Sequence, residues 1–318
     1  VTASGPRASG AALLRVGVVG VGHLGRHHAR ILRDLPGVTF AGAADRLIER
    51  ARAASGDAGP AVDHADALLD AVDAVVIAVP TVDHLAVARP FLERGIHVLV
   101  EKPMTDTLEA ADELTALAAR HGAMLAVGHT ERFNPAVQAA MPILRQPRFI
   151  EVHRLSGFPD RSLDIDVVFD VMIHDLDIIL AVDGTEVESV EAIGVPVLTP
   201  RVDIANARVR FASGCTANLT ASRISRDKIR KARFFQPDMY VSIDCASQEL
   251  EVWRLDRSAG DRPAIAGGPV DVQQAEPLRE ELLDFVAAIR EGRLPRVTGA
   301  DGRRALALAT TIKSRMRD

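Results

Sequence analysis

His97-Val98-Leu99-Val100-Glu101-Lys102-Pro103 is the stretch on which the reading of the fold turns. His97 to Val100 reads as a buried strand, and a carboxylate, an ammonium and a proline then arrive together where that strand must stop. Two charges at the mouth of an apolar strand cost solvation unless something there uses them. In an open α/β sheet, ligands collect at the carboxyl ends of the strands. Lys102 is therefore the first candidate for chemistry.

Working outward, Arg15 to Val19 is a short apolar strand that runs into Gly20-Val21-Gly22-His23-Leu24-Gly25, and a helical pattern follows through His28, Ile31 and Leu32. Strand, GxGxxG and helix in this order are the context of a dinucleotide fingerprint. Gly20 permits the tight turn, Gly22 lets a pyrophosphate approach, and Gly25 lets helix and strand pack closely. His23 and Leu24 sit in the same loop, and the helix N-terminus offers free N–H groups to phosphate. Taken alone, the hexapeptide also fits a bland glycine-rich turn. The next strand, Val38 to Ala44, ends at Asp45, 20 residues beyond Gly25. An acidic residue there holds ribose hydroxyls and repels a 2′-phosphate, which favours NAD. Arg46 beside it leaves NADP open, and Asp45-Arg46 also fits a helix cap with a surface charge.

Asp73 to Val79 is a further buried strand, ending at Pro80 with His84 shortly after. Helices precede and follow the opening strand, and Met124 to Val127 is the last strand of this half. The reading counts six strands, with the opening stretch fifth. Strands alternating with helices mean a doubly wound parallel sheet. Val79, Pro80, His84, Glu101 and Lys102 then fall on the cofactor edge with the glycine loop.

Beyond Gly128 strands follow strands: Arg148 to Leu155, Val187 to Val197, Asp203 to Phe211, Thr216 to Ser222, Met239 to Cys245 and Leu250 to Leu255. That pattern predicts a large, mostly antiparallel sheet. The expected organisation is a Rossmann domain over 12–129, a substrate-binding and oligomerising α/β domain over 130–299, and a helix over 300–318 packing back on the first domain. A sheet with helices on one face leaves the other for a second subunit, so a homodimer or homotetramer through that sheet is expected. Glu276 to Glu291 reads as an amphipathic helix.

Bulk properties narrow the classes. The chain has 318 residues and a formal net charge of -5, against a nucleic-acid or membrane surface. Aromatic residues make up 4%, too few to supply stacking platforms for bases. Two cysteines, Cys215 and Cys245, exclude a disulfide framework or a CxxC metal site, and point to a reducing, cytoplasmic setting. Val1 to Gly10 reads as a loose tail without an apolar leader core. No run of about 18 apolar residues indicates a membrane span.

A helix over about Val167 to Val182 carries Phe169-Asp170-Val171-Met172-Ile173-His174-Asp175-Leu176-Asp177. Asp170 and His174 are four apart, so on an α-helix they share a face and can touch. A carboxylate beside an imidazole fixes its tautomer. A surface ion pair is the bland alternative.

Together, Gly20 to Gly25, Pro80 with His84, Glu101-Lys102-Pro103, Asp170 with His174, and the ending Pro295-Arg296-Val297-Thr298-Gly299-Ala300-Asp301-Gly302 resemble the Gfo/Idh/MocA oxidoreductase family. The resemblance covers nearly the whole chain after the tail. It implies an NAD-dependent dehydrogenase in which Lys102, Asp170 and His174 act on a sugar or polyol hydroxyl. Some relatives use a tyrosine, but the only one here, Tyr240, lies in a different setting. On this reading His174 is the base, Asp170 orients it, and Lys102 stabilises negative charge on oxygen. Pro103 fixes the peptide that aims Lys102, in a cis bond.

Two stretches bear on the substrate. In Gly128-His129-Thr130-Glu131-Arg132-Phe133-Asn134-Pro135, Arg132 and Asn134 are candidates for cofactor or substrate, against a connecting turn with a helix start. In Arg223 to Arg233, six cations face one Asp. That run is either a solvated hairpin or, through Arg223 and Arg226, a clamp on an anionic group such as a diphosphate. Together they resemble the branch that oxidises the 3-hydroxyl of UDP-N-acetylglucosamine. A free-sugar, inositol or polyol dehydrogenase is the alternative. A non-catalytic NAD-binding regulator is a third reading, although Lys102, Asp170 and His174 are all retained.

Overall fold

The computed structural model describes residues 13–158, 165–257 and 264–316. The expected tail, Val1 to Gly10, lies outside the described residues.

Six parallel strands form the first sheet: β1 (Leu14–Val19), β2 (Val38–Ala44), β3 (Ala61–Val62), β4 (Ala74–Ile77), β5 (His97–Glu101) and β6 (Leu125–Gly128), in the order β3-β2-β1-β4-β5-β6. The runs of Val, Ala and Ile in β1, β4 and β5 are covered on both faces, so they read as continuous rather than alternating apolar segments. The counted third strand is β3, which has two residues and no apolar run to mark it. Strand order reverses between β1 and β4, so the crevice for a ligand opens there. Helix α1 (Gly25–Arg33) leads from β1 to β2, with α2 (Ile48–Ser55), α3 (His84–Glu93) and α4 (Leu108–His121) completing the wrap.

The second sheet has eight strands: β7 (Phe149–Leu155), β8 (Val187–Val195), β9 (Ile204–Phe211), β10 (Thr216–Ser222), β11 (Ile229–Phe235), β12 (Met239–Asp244), β13 (Glu249–Asp256) and β14 (Ala264–Val270). Their order is β14-β13-β12-β11-β7-β10-β9-β8, antiparallel except where β10 runs parallel to β7. Two of these strands were not anticipated. β11 lies inside the basic run, where Ala232 and Phe234 alternate with cations and are buried. β14 is an edge strand whose Gly267, Gly268 and Pro269 mask a strand signal.

The inward face of this sheet packs on α5 (Pro135–Ala140), α6 (Ile173–Asp183) and α8 (Gly299–Arg315) in one apolar core. One π-helical turn, Val168–Met172, precedes α6. The outward face is open and carries a ring stack, with Phe149 5.6 Å from Phe235 and Phe235 5.1 Å from Tyr240 between centroids.

Two boundaries differ from the sequence reading. Helix α7 (Pro277–Glu291), expected in the second domain, buries Leu282, Phe285 and Val286 in the core of β1 and α1. Its apolar stripe fits the uncovered flank of the first sheet. Helix α8 does not simply return to the first domain. Leu306 joins the core of the first sheet, whereas Ala305, Leu308, Ala309 and Ile312 join that of the second. The helix is a shared wall, anchored by a capping box between Thr298 and Asp301.

Candidate active site

The cofactor edge is built from three strand ends. Gly20 has a φ of +82°, and a Cβ there would meet Val79 N at 2.7 Å. A Cβ on Gly25 would lie 1.8 Å from Gly20 O, so helix and loop pack as closely as the fingerprint requires. Nothing stands within 4 Å of a Cβ on Gly22, which leaves its backbone open to a pyrophosphate. These features fit a dinucleotide. Asp45 accepts from Val21 N at 3.0 Å and Leu47 N at 2.9 Å, tying the glycine loop to the end of β2. Arg46 is exposed, 3.5 Å from Asp83. His23 is exposed and lies over His27, while Leu24 lines the main cavity.

His84 is buried and fastens two strand ends, with Nε2 3.0 Å from Val79 O and Nδ1 3.1 Å from Pro103 O. Glu101 is buried too. Its Oε1 lies 2.8 Å from His28 Nε2, and Oε2 accepts from Lys102 N at 3.2 Å. Burial pushes this carboxyl upward, but the His28 hydrogen bond and the charges of His28 and Lys102 outweigh it and hold Glu101 below its ordinary range. Glu281 of α7 is buried nearby; burial first, then Glu101, pushes its carboxyl far up. Glu101 thus supports the turn that carries Lys102, and the Lys102–Pro103 bond is cis.

A cavity of about 1230 Å³ runs from Leu24, Val79 and Pro80 past Lys102, Asp170 and His174. Lys102 Nζ donates to Asp170 O at 2.6 Å and to Asp170 Oδ1 at 3.2 Å. The expectation that Asp170 orients His174 is corrected here. The Asp170 carboxylate goes to Lys102 Nζ, and among the described residues no hydrogen bond joins it to His174. The ring beside His174 is that of His129, edge to face with centroids 6.2 Å apart. His174 Nδ1 and both nitrogens of His129 are buried without a hydrogen-bond partner. Burial, and then the positive charge of Lys102 and Arg154, holds His174 well below its usual pKa. His129, buried beside Arg132 and Lys102, is pushed down to about 3. Both imidazoles are neutral near pH 7, the state a general base requires.

The candidates outside this trio fare differently. Arg132 is buried, with Nε donating to Asp177 Oδ2 at 2.8 Å. Asn134 caps α5, accepting from Ala136 N at 3.1 Å and donating to Cys245 O at 2.9 Å. Arg132 is spent on structure and lies outside the cavity lining, whereas Asn134 caps its helix and also lines the cavity. Arg223 lines the cavity, but it is buried with Nε on Asp203 Oδ1 at 2.8 Å and Nη1 on Ile165 O at 2.7 Å. Asp203 also accepts from Val197, Leu198 and Thr199 N, so Arg223 anchors a turn rather than serving as the expected clamp. Arg226 is exposed and lies outside the cavity lining. The sequence reading passed over His129, Arg154, Arg201 and Arg230. All but His129 line the cavity. Strand alternation was the available signal for Arg154, which continues the inward row of β7; Arg230 does the same on β11, a strand that the sequence did not announce.

A family model for an oxidoreductase family with an NAD-binding Rossmann fold matches residues 14–129, and the GFO/IDH/MocA C-terminal domain model matches residues 143–240. The chain belongs to the Gfo/Idh/MocA oxidoreductase family. An Acidithiobacillus ferrooxidans protein named UDP-N-acetylglucosamine 3-dehydrogenase is 42% identical over 311 residues, 94% of this chain and 96% of its own. A solved structure of UDP-N-acetylglucosamine 3-dehydrogenase from the same organism superposes with a TM-score of 0.89 at 38% identity, covering 95% of this chain and 97% of that one. Inositol 2-dehydrogenase 4 of Saccharopolyspora erythraea is 34% identical over 190 residues, 56% of each chain.

In this Gfo/Idh/MocA chain the cofactor is NAD. Among the described residues, no helix is long and apolar enough to cross a membrane. Two outcomes follow from the geometry. Arg223→Ala orphans a buried carboxylate, so denaturant unfolding should register a loss of about 3–5 kcal/mol; unchanged stability with altered substrate affinity would restore the clamp. Because the His174 pKa is depressed, its neutral form persists as pH falls. The acid limb of kcat/KM should therefore lie below the ordinary imidazole value of about 6.5. A limb at or above that value would contradict the assignment.

Proposed function

We propose that the chain oxidises the 3-hydroxyl of a UDP-sugar such as UDP-N-acetylglucosamine, passing the hydride to NAD. The observation that carries this reading is the single cavity in which the glycine-loop edge, Lys102, Asp170 and His174 meet, continuing to Arg201 and Arg230. It is larger than the roughly 300–1,000 Å³ usual for one small ligand, room that a cofactor and a nucleotide-linked sugar would use. Near full-length similarity to a UDP-N-acetylglucosamine 3-dehydrogenase supports the same substrate class.

Bound NAD supplies the hydride acceptor. The protein's own residues handle the proton and the charge. His174 takes the hydroxyl proton as neutral imidazole, leaving imidazolium and, once the C–H bond gives up its hydride, a ketone. The Lys102 ammonium faces the oxygen and stabilises its negative charge. Asp170 holds Lys102 in place through its carbonyl and its carboxylate. Glu101 fastens the peptide before Lys102 from beneath.

The inositol or free-sugar alternative rests on relatives such as the inositol 2-dehydrogenase that match 56% of the chain. The regulator reading would permit loss of Lys102, Asp170 or His174, and the chain retains all three. We place the protein in the cytoplasm, a reducing compartment that suits two free, buried cysteines. We also place a homodimer or homotetramer contact on the open sheet face around Phe149, Phe235 and Tyr240, where Phe235 is 37% exposed.

The deciding assay follows NADH formation with UDP-sugars, inositols and hexoses. Oxidation of UDP-N-acetylglucosamine is expected; turnover of inositol alone would give the site to the alternative, and NAD binding without any turnover would favour a regulator. His174→Ala should lower kcat by about 10²–10⁴-fold while NAD still binds, and near-normal turnover would remove it as the base. Phe235→Glu with Tyr240→Glu should reduce the assembly size in analytical ultracentrifugation, and an unchanged assembly would move the contact elsewhere.

A further inference from the structure

The inward face of the eight-stranded sheet carries apolar rows that run toward the cavity. Ile150 and Val152 on β7, Phe234 and Ala232 on β11, and Leu219 and Ala221 on β10 are all buried. Side chains alternate along a strand, so the next inward positions are Arg154, Arg230 and Arg223. The strands are neighbours in the order β11-β7-β10, with Arg230 directly opposite Arg154. Three arginines therefore replace the apolar rows where the sheet meets the cavity, and all three line it.

Their commitments differ. Arg223 is held by Asp203 at 2.8 Å. Arg154 is buried between Asp175, at 2.7 and 2.8 Å in a bidentate pair, and Glu131 at 2.8 Å. Arg230 approaches Glu131 only to 3.9 Å, and 54% of its side chain is exposed. Arg201, also exposed, lines the same mouth from the loop before β9. Glu131, Asp175 and Asp203 each already carry a guanidinium. Among the described residues, Arg230 and Arg201 are the lining guanidiniums with no hydrogen bond to a carboxylate.

We infer that Arg230 and Arg201 form an anion subsite that holds the diphosphate of the nucleotide sugar, with Arg154 and Glu131 as its fixed base. The inference rests on the UDP-sugar reading of this cavity. The guanidinium fork matches phosphate oxygens in pairs, which a lysine cannot reproduce. The pyrophosphate of the cofactor belongs at the glycine loop, so a second anion in this cavity comes from the substrate. The assignment moves the clamp sought in the basic run from Arg223 and Arg226 to Arg230, and brings in Arg201 from a separate loop.

The test is calorimetric titration of the 318-residue chain with UDP, which lacks the diphosphate-linked sugar whose hydroxyl is oxidised. Arg230→Ala and Arg201→Ala should each weaken UDP at least 10-fold, while Lys231→Ala, on the outward face of β11, should leave it unchanged. UMP, with one phosphate, should lose less than UDP in each variant. Both arginines are exposed, and Glu131 keeps Arg154 when Arg230 is removed, so the fold should persist; Arg230→Gln supplies a second variant of similar length. Wild-type oxidation of UDP-N-acetylglucosamine with UDP affinity unchanged in both variants would overturn the subsite and leave the substrate reading standing. UDP binding that depends on Arg230 and Arg201, without oxidation of any UDP-sugar, would do the reverse.

Discussion

The contact between Lys102 and Asp170 joins the two halves of the molecule. Lys102 stands just past the end of a parallel strand, and Asp170 sits in the turn before a helix of the second domain. Both are largely removed from water, with side-chain exposures of 12% and 23%. Neither charge would be tolerated there alone. Within the π turn, both the carbonyl and the carboxylate of Asp170 accept from the ammonium. That geometry leaves His174, one turn further, facing the cavity without a carboxylate of its own.

Other buried polar pairs lie within each half rather than between them. Arg132 meets Asp177, Arg154 meets Asp175 and Glu131, and Glu101 meets His28. Such pairs add little net stability, yet each is costly to break. Their effect is to fix α6 against β7 and the 130–133 turn in one half, and the end of β5 against α1 in the other, so that the Lys102–Asp170 contact meets two well-defined surfaces. A cavity assembled from both domains needs that constraint, because a shift of about 1 Å in reacting groups can cost orders of magnitude in rate.

Much of this was legible in the chain. The continuous apolar runs of β1, β4 and β5 announced a buried parallel sheet, and Gly20 to Gly25 placed the cofactor edge. Strands following strands after Arg148 announced the second sheet. The losses share a cause: each depended on neighbours distant in sequence. Asp170 and His174 are four apart, and only Lys102, 68 residues away in sequence, decides where the Asp170 carboxylate goes. Arg132 and Arg223 look like surface cations until Asp177 and Asp203 are known to be buried against them. The stripe on α7 was visible, but which sheet it would cover was not. β11 was hidden because Arg230, Lys231 and Arg233 interrupt its apolar residues Ile229, Ala232, Phe234 and Phe235, so that no clean alternation marks it.

The absence of a carboxylate contact to His174 bears on how the proposed proton transfer balances. A neutral, buried histidine near Lys102, Arg154 and Arg230 is a weaker base than a free imidazole, since burial first, and then those charges, oppose the imidazolium. Read alone, that would slow proton removal. In the proposed reaction the same ammonium faces the oxygen that loses the proton, and there it would stabilise an alkoxide more directly than it penalises a histidine further off. Lys102 thus lowers the affinity for the proton on both sides of the transfer, and the larger effect falls on the nearer atom. Imidazolium formed in such surroundings gives its proton back readily, so the site suits reduction of the ketone as well as oxidation of the alcohol.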